Sequence, residues 1–182
     1  MALGANLPSS YGEPEISLRH AVNFFAQYDC DLVKLSRFFA TPAFPAGNGP
    51  DYVNAAAEID GPGDAADMLA RLHAMEAEFG RAREERWGQR VLDLDLLAAG
   101  EAVLPDAESH AAWRKLPLSE QIARTPDGLV LPHPRLQDRA FVLVPLAEIA
   151  PNWRHPVLGR SVREMRDALP AADLEDVTPL GD

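Results

Sequence analysis

Leu92-Asp93-Leu94-Asp95-Leu96 alternates apolar and acidic side chains without a break, and nothing else in the chain restricts the fold as much. A period of two belongs to a strand with one face in a core. The three leucines then enter the core, and Asp93 and Asp95 project together from the other face, about 7 Å apart. Two carboxylates at that spacing repel unless a positive charge lies near them. Residues 80–90, just upstream, carry Arg81, Arg83, Arg86 and Arg90 against Glu84 and Glu85, with Trp87 and Gly88 among them. Guanidinium groups pair bidentately with phosphate oxygens. Carboxylates are hard ligands of the kind Mg²⁺ takes together with phosphate and water. Each half has a plain alternative, a solvated strand face or surface charge of little energetic weight. Their adjacency points instead to a nucleotide polyphosphate held by arginines and by metal ions on the aspartates.

Charge supports a local anion site and not a general one. The 182 residues sum to −11, which argues against a nucleic-acid binder. The arginine stretch is a positive island in that acidic chain. One cysteine, Cys30, excludes an internal disulfide and leaves too few thiols for a cysteine-rich zinc site. No apolar run approaches 18 residues and no signal-peptide pattern is present, so a cytoplasmic protein without membrane contact is expected.

The rest of the pattern is mixed α and β. Met1-Ala2-Leu3-Gly4 reads as the end of a strand, and apolar positions after Pro14 recur at helical spacing to about Gln27. Residues 32–40 are β-rich, 41–50 read as loop, and 52–60 as a further strand. Asp64 is the expected N-cap of a helix burying Met68, Leu69, Leu72, Met75 and Phe79, which Gly80 ends. Beyond the central strand, short strands are expected at 101–104 and 129–132, a helix at 138–150 despite Pro145, and a final helix capped by Ser161. The order β-α-β-β-α-β predicts an α+β fold: a ferredoxin-like antiparallel sheet with two helices on one face and the other free for ligands. One domain spans 1–182. Residues 105–128 are expected to be a peripheral insertion anchored by Trp113 and Leu116, without catalytic groups, and 170–182 a mobile tail.

Arg86-Trp87-Gly88-Gln89-Arg90 running into Leu92-Asp93-Leu94-Asp95-Leu96 resembles the signature of the 6-hydroxymethyl-7,8-dihydropterin pyrophosphokinase family. So, in order, do Leu3-Gly4-Ala5-Asn6-Leu7, Thr41-Pro42 with Asp51–Ala56, Glu76, and Pro132-His133-Pro134-Arg135 through Arg139 and Phe141. The resemblance implies transfer of the diphosphate of ATP to a reduced hydroxymethylpterin, a step of folate biosynthesis that releases AMP. It implies two Mg²⁺ ions on Asp93 and Asp95, with Arg81 and Arg90 completing the catalytic set. It places His73, Glu76, Arg83, Trp87, Leu96, His133 and Arg139 around ATP. It places Thr41, Pro42, Phe44, Tyr52, Asn54 and Phe141 around the pterin, with Tyr52 and Phe141 as stacking walls and Asn54 reading the ring edge. Small-molecule substrates, no nucleic acid, no membrane and a monomer follow as expectations. Relatives begin with a longer first strand, and many carry proline where Gln89 stands. Gly128 and Val130 replace an arginine and a threonine found in some. A non-catalytic nucleotide-binding module and a metal-dependent nuclease are the competing classes. Retention of both aspartates and all loop arginines disfavours the first, and the acidic balance disfavours the second.

Overall fold

The computed structural model describes residues 1–43, 49–80 and 90–181. Strand β1 (Ala2–Ala5) leads to helix α1 (Pro14–Phe24), strands β2 (Asp31–Leu35), β3 (Phe39–Thr41) and β4 (Tyr52–Asp60), helix α2 (Ala65–Glu78) and strand β5 (Asp93–Asp95). Helices α3 (Ala107–Lys115), α4 (Leu118–Ala123), α5 (Ala140–Ile149), α6 (Val162–Arg166) and α7 (Ala171–Glu175) follow, with strand β6 (Thr178–Pro179) last. The sheet runs β5-β1-β4-β3-β6 with β2 also on β4, and every pairing is antiparallel. With β1 between β4 and β5, this is the ferredoxin-like plan the sequence predicts. Among the described residues no helix is long and apolar enough to cross a membrane.

Local chemistry explains the boundaries. Asp64 Oδ1 accepts from the backbone N–H of Ala66 and Asp67 at 2.8 and 3.0 Å, and Asp67 Oδ2 accepts from Asp64 N–H at 3.1 Å. This reciprocal cap, worth about 1 kcal/mol, starts α2. Gly80, at φ +84°, sits beyond its end in the left-handed region glycine tolerates. The strands expected at 101–104 and 129–132 shrink to one bridge, Leu104 with Leu131. Pro105 and Pro132 follow these two residues and have no N–H with which to extend a ladder.

Strand register sorts the two faces. Leu3 lies between Ala55 and Leu94, and all three pack against Leu18, Phe25, Leu72 and Met75 on the α1/α2 side. On the other face Ala2 lies between Ala56 and Asp95, and Gly4 between Asn54 and Asp93. That face is not open along its length, as the two-helix plan had implied. Ala56 joins a second core with Val142, Leu143 and Leu146 of α5 and Val162 and Met165 of α6. α5 is strongly apolar and has to bury its surface, so it covers the sheet centre, and among the described residues a cavity opens at one end of the sheet.

The tail expected to be mobile is instead ordered against the fold. β6 pairs with β3 through Phe39–Pro179 and Ala40–Thr178, and Val177 is buried with Phe39 and Ala140. Three exposed acids in this segment disguise its apolar anchors, Val177 with Leu174 and Leu180.

Candidate active site

The uncovered end of the sheet holds a cavity of about 670 Å³ whose lining comes from β1, β3, β4, β5, α3, the 133–141 segment and the tail. Its floor is close-packed because Gly4 has no side chain. A Cβ there would stand 2.9 Å from Asn54 Oδ1. Asn54 is buried, and its Nδ2 donates to Thr41 Oγ1 at 2.6 Å, so two residues 13 apart in sequence present one fixed polar pair. Tyr52 stands opposite Thr41 in the β3–β4 register. Burial raises its phenol pKa, with Arg90 opposing and Asp93 adding to the shift.

At the charged end, Arg90 donates to Asp93 in a half-buried ion pair. Burial works against the guanidinium, yet the charges of Asp93 and then Asp95, with the Asp93 hydrogen bond, outweigh it and raise the Arg90 pKa. Asn6 sets the backbone beneath this pair. Its Oδ1 accepts from Arg90 N–H at 2.7 Å, its own N–H donates to Arg90 O at 2.9 Å, and its Nδ2 donates to Pro50 O at 3.1 Å. One buried amide thereby ties the lead-in to β5 to the lead-in to β4.

His133 Nδ1 accepts the N–H of Arg135 at 3.1 Å. The neutral ring must then carry its proton on Nε2. Burial, followed by the charge of Arg139, pushes the His133 pKa down to about 3, with Asp93 opposing. His133 is therefore a neutral N–H donor at physiological pH. Arg139 is also lowered by burial, with Asp95 resisting that shift, and its guanidinium lies 5.6 Å over the Phe141 ring.

Ten residues expected at the site line this one cavity: Thr41, Pro42, Tyr52, Asn54, Arg90, Asp93, Asp95, His133, Arg139 and Phe141. Glu76 and Leu96 lie beneath the sheet instead. Leu96 is part of the α1/α2 core. Glu76 is 1% exposed, and its Oε1 accepts the N–H of Leu94 at 2.8 Å, which fixes β5 from behind. His73 is half-buried one helical turn before Glu76 and is not on the cavity wall. Phe44, Arg81, Arg83 and Trp87 lie outside the described residues.

Sequence reasoning gave Asn6 no role of its own, although it stands in the family-like segment Leu3-Gly4-Ala5-Asn6-Leu7. It also excluded residues 105–128 from the site, whereas Trp113, Arg124 and Pro126 line the cavity. A tryptophan on a helix whose other side chains are small or polar was the available sign. Asp173, Asp176 and Val177 of the tail close the wall beside β3.

A model of the 7,8-dihydro-6-hydroxymethylpterin-pyrophosphokinase family matches residues 1–151. The chain belongs to this family. The 2-amino-4-hydroxy-6-hydroxymethyldihydropteridine pyrophosphokinase of Pseudomonas aeruginosa is 35% identical over 176 residues, covering 96% of this chain and 93% of that protein. The protein of the same name from Synechocystis is 35% identical over 150 residues, and the match spans 82% of this chain and 64% of that one. Among solved structures, a Plasmodium falciparum HPPK-DHPS chain with SDX-DHP superposes with a TM-score of 0.56 at 12% identity, over 91% of this chain and 42% of that chain. At that identity the likeness shows the fold alone. The family model's match ends at residue 151, so α6, α7 and β6, including the tail's part of the cavity wall, lie beyond that model.

Proposed function

We propose that this chain transfers the diphosphate of ATP to the hydroxymethyl oxygen of 6-hydroxymethyl-7,8-dihydropterin, giving the pterin diphosphate and AMP. One observation carries the reading: a single cavity joins a carboxylate and cation end (Arg90, Asp93, Asp95, His133, Arg139) to an aromatic and amide end (Tyr52, Asn54, Phe141). The first suits a polyphosphate and the second a flat heteroaromatic ring. Names and family of the relatives support the same pair of substrates.

In this reaction the hydroxymethyl oxygen bonds to the β-phosphorus, the bridging bond to the α-phosphate breaks, and AMP leaves with that electron pair. Phosphoryl-type transfer asks the protein mainly for position and charge. Tyr52 and Phe141 hold the pterin ring and Asn54, fixed by Thr41, reads its edge. Arg139 and the Nε2–H of His133 receive phosphate oxygens. Arg90 can exchange its Asp93 contact for phosphate, and Asp95 accepts the hydroxyl proton.

The donor set fits Mg²⁺. Asp93 and Asp95 share the cavity face of β5, and two carboxylates suffice where phosphate and water complete the shell. Among the described residues no group of three or more His, Cys, Asp or Glu gathers as a metal cluster. When bound, the ions neutralise phosphate charge and favour loss of the hydroxyl proton.

The test is direct. Purified protein is incubated with ATP, Mg²⁺ and the reduced hydroxymethylpterin, and AMP and pterin diphosphate are separated by chromatography. Equimolar products are expected. ATP left intact, or AMP formed equally without the pterin, would sink the proposal.

A further inference from the structure

Residues 105–128 are built into the cavity more firmly than a surface insertion needs to be. Asp106 caps α3 by accepting from Ser109 N–H and Oγ–H, both at 2.8 Å. One turn on, His110 is fully buried, with Nε2 2.9 Å from the carbonyl oxygen of Pro132. A carbonyl only accepts, so that nitrogen carries the proton. The His155 ring backs His110 at 5.6 Å between centroids. His110 thus fastens α3 to the residue directly before His133. Three residues further along, on the same side of the helix, Trp113 comes to the cavity wall. The guanidinium of Arg124, itself a wall residue, lies 5.6 Å from the indole centroid and braces it.

A buried polar anchor, an aromatic plate and a cation across it have no purpose in a merely solvated loop. We propose that Trp113 is a specificity-determining residue that stacks on the base of the nucleotide substrate, held in orientation by Arg124. This rests on the ATP-dependent reading given above. The nucleotide is assigned over the pterin because α3 is fastened beside His133 and Arg135, at the cationic end. The wall beside Thr41 is made by the tail instead. An indole presents a large π face to any base, and its loss is felt as weaker binding and not as altered chemistry.

The experiment compares Trp113→Phe and Trp113→Leu with the parent protein. Leucine retains bulk without a π face, and phenylalanine retains the face. Affinity for a non-transferable methylene analogue of ATP is measured by calorimetry, KM for ATP and for the pterin by AMP release, and folding by thermal melt. Trp113→Leu should bind the analogue about 5- to 100-fold more weakly, and raise KM for ATP in step while KM for the pterin and kcat stay put. Trp113→Phe should stay within about threefold of the parent. Wild-type analogue affinity in a folded Trp113→Leu protein overturns the proposal, as does a rise in pterin KM alone. Should Trp113→Leu not fold, weaker analogue binding by Arg124→Ala, with Trp113→Phe parent-like, still supports it, and parent-like affinity in Arg124→Ala overturns it. Calorimetry needs no turnover. A parent protein that binds the analogue but makes no AMP therefore defeats the diphosphate-transfer reading without touching the Trp113 assignment.

Discussion

Gly4→Ala should injure pterin recognition through a residue it does not touch in the chain. The added methyl would sit 2.9 Å from Asn54 Oδ1, closer than side-chain carbons approach oxygen. Its other neighbours, Tyr52 Cδ1 at 3.9 Å and Asp93 Cβ at 4.0 Å, are at ordinary contact distance and need not move. The conflict therefore falls on Asn54, which is buried and held by its 2.6 Å bond to Thr41. Displacing the amide breaks that bond and spoils the edge it presents to the ring. One or two hydrogen bonds at about 0.5–1.5 kcal/mol each give roughly 1–3 kcal/mol, or about 5- to 150-fold in pterin affinity. KM for ATP and kcat at saturation should change little, because Arg90, Asp93 and His133 keep their places. The measurement is steady-state AMP release for Gly4→Ala, Asn54→Ala and the double variant. If the methyl acts through Asn54, it should cost almost nothing in the Asn54→Ala background. An equal loss in both backgrounds, or a Gly4→Ala protein with parental pterin KM, would refute the reasoning.

Four other outcomes are expected. Asp95→Asn should lower turnover at least about 100-fold with its metal-free melting temperature unchanged or slightly higher, since a like charge has gone; normal turnover would remove Asp95 from the metal site. Asp93→Asn should lose turnover similarly but also some stability, because the Arg90 ion pair goes with it; identical melting behaviour of the two variants would count against that pair. Tyr52→Ala or Phe141→Ala should weaken pterin binding by about 5- to 150-fold and leave ATP binding nearly untouched; the reverse pattern in calorimetry would exchange the two pockets. Burial, then the neighbouring His110 and Arg114, lowers the His155 pKa from 6.5 to about 4. The unfolded chain thus binds the extra proton first on acidification, and the stability held above pH 6.5 is lost between 6.5 and 4. Thermal melts across that window should fall less steeply for His155→Gln, and an unchanged slope would show that His155 is not responsible.

What the sequence determined by itself is local. Alternation through residues 92–96 was enough to place the leucines in the core and the aspartates opposite, since a strand has only two faces and burial of one selects the register. Asp64 and Ser161 announced their helices because capping is a contact between residues three apart. The family motifs then located ten of the cavity-lining residues.

Everything that joined those pieces needed the tertiary structure. Gly4 is critical only because strand pairing sets it between Asn54 and Asp93, 50 and 89 positions away. Asn6 holds Arg90 across 84 residues, and nothing in the spacing of either reveals the other. The place of residues 105–128 depends on a buried histidine reaching the carbonyl of Pro132, and the tail's order depends on an edge strand left open by β3. Sequence pattern reports which side chains must leave water and how near neighbours cap or alternate. It does not report which distant backbone group will satisfy a buried amide, imidazole or sheet edge, because that choice exists only once the surrounding surfaces have closed together.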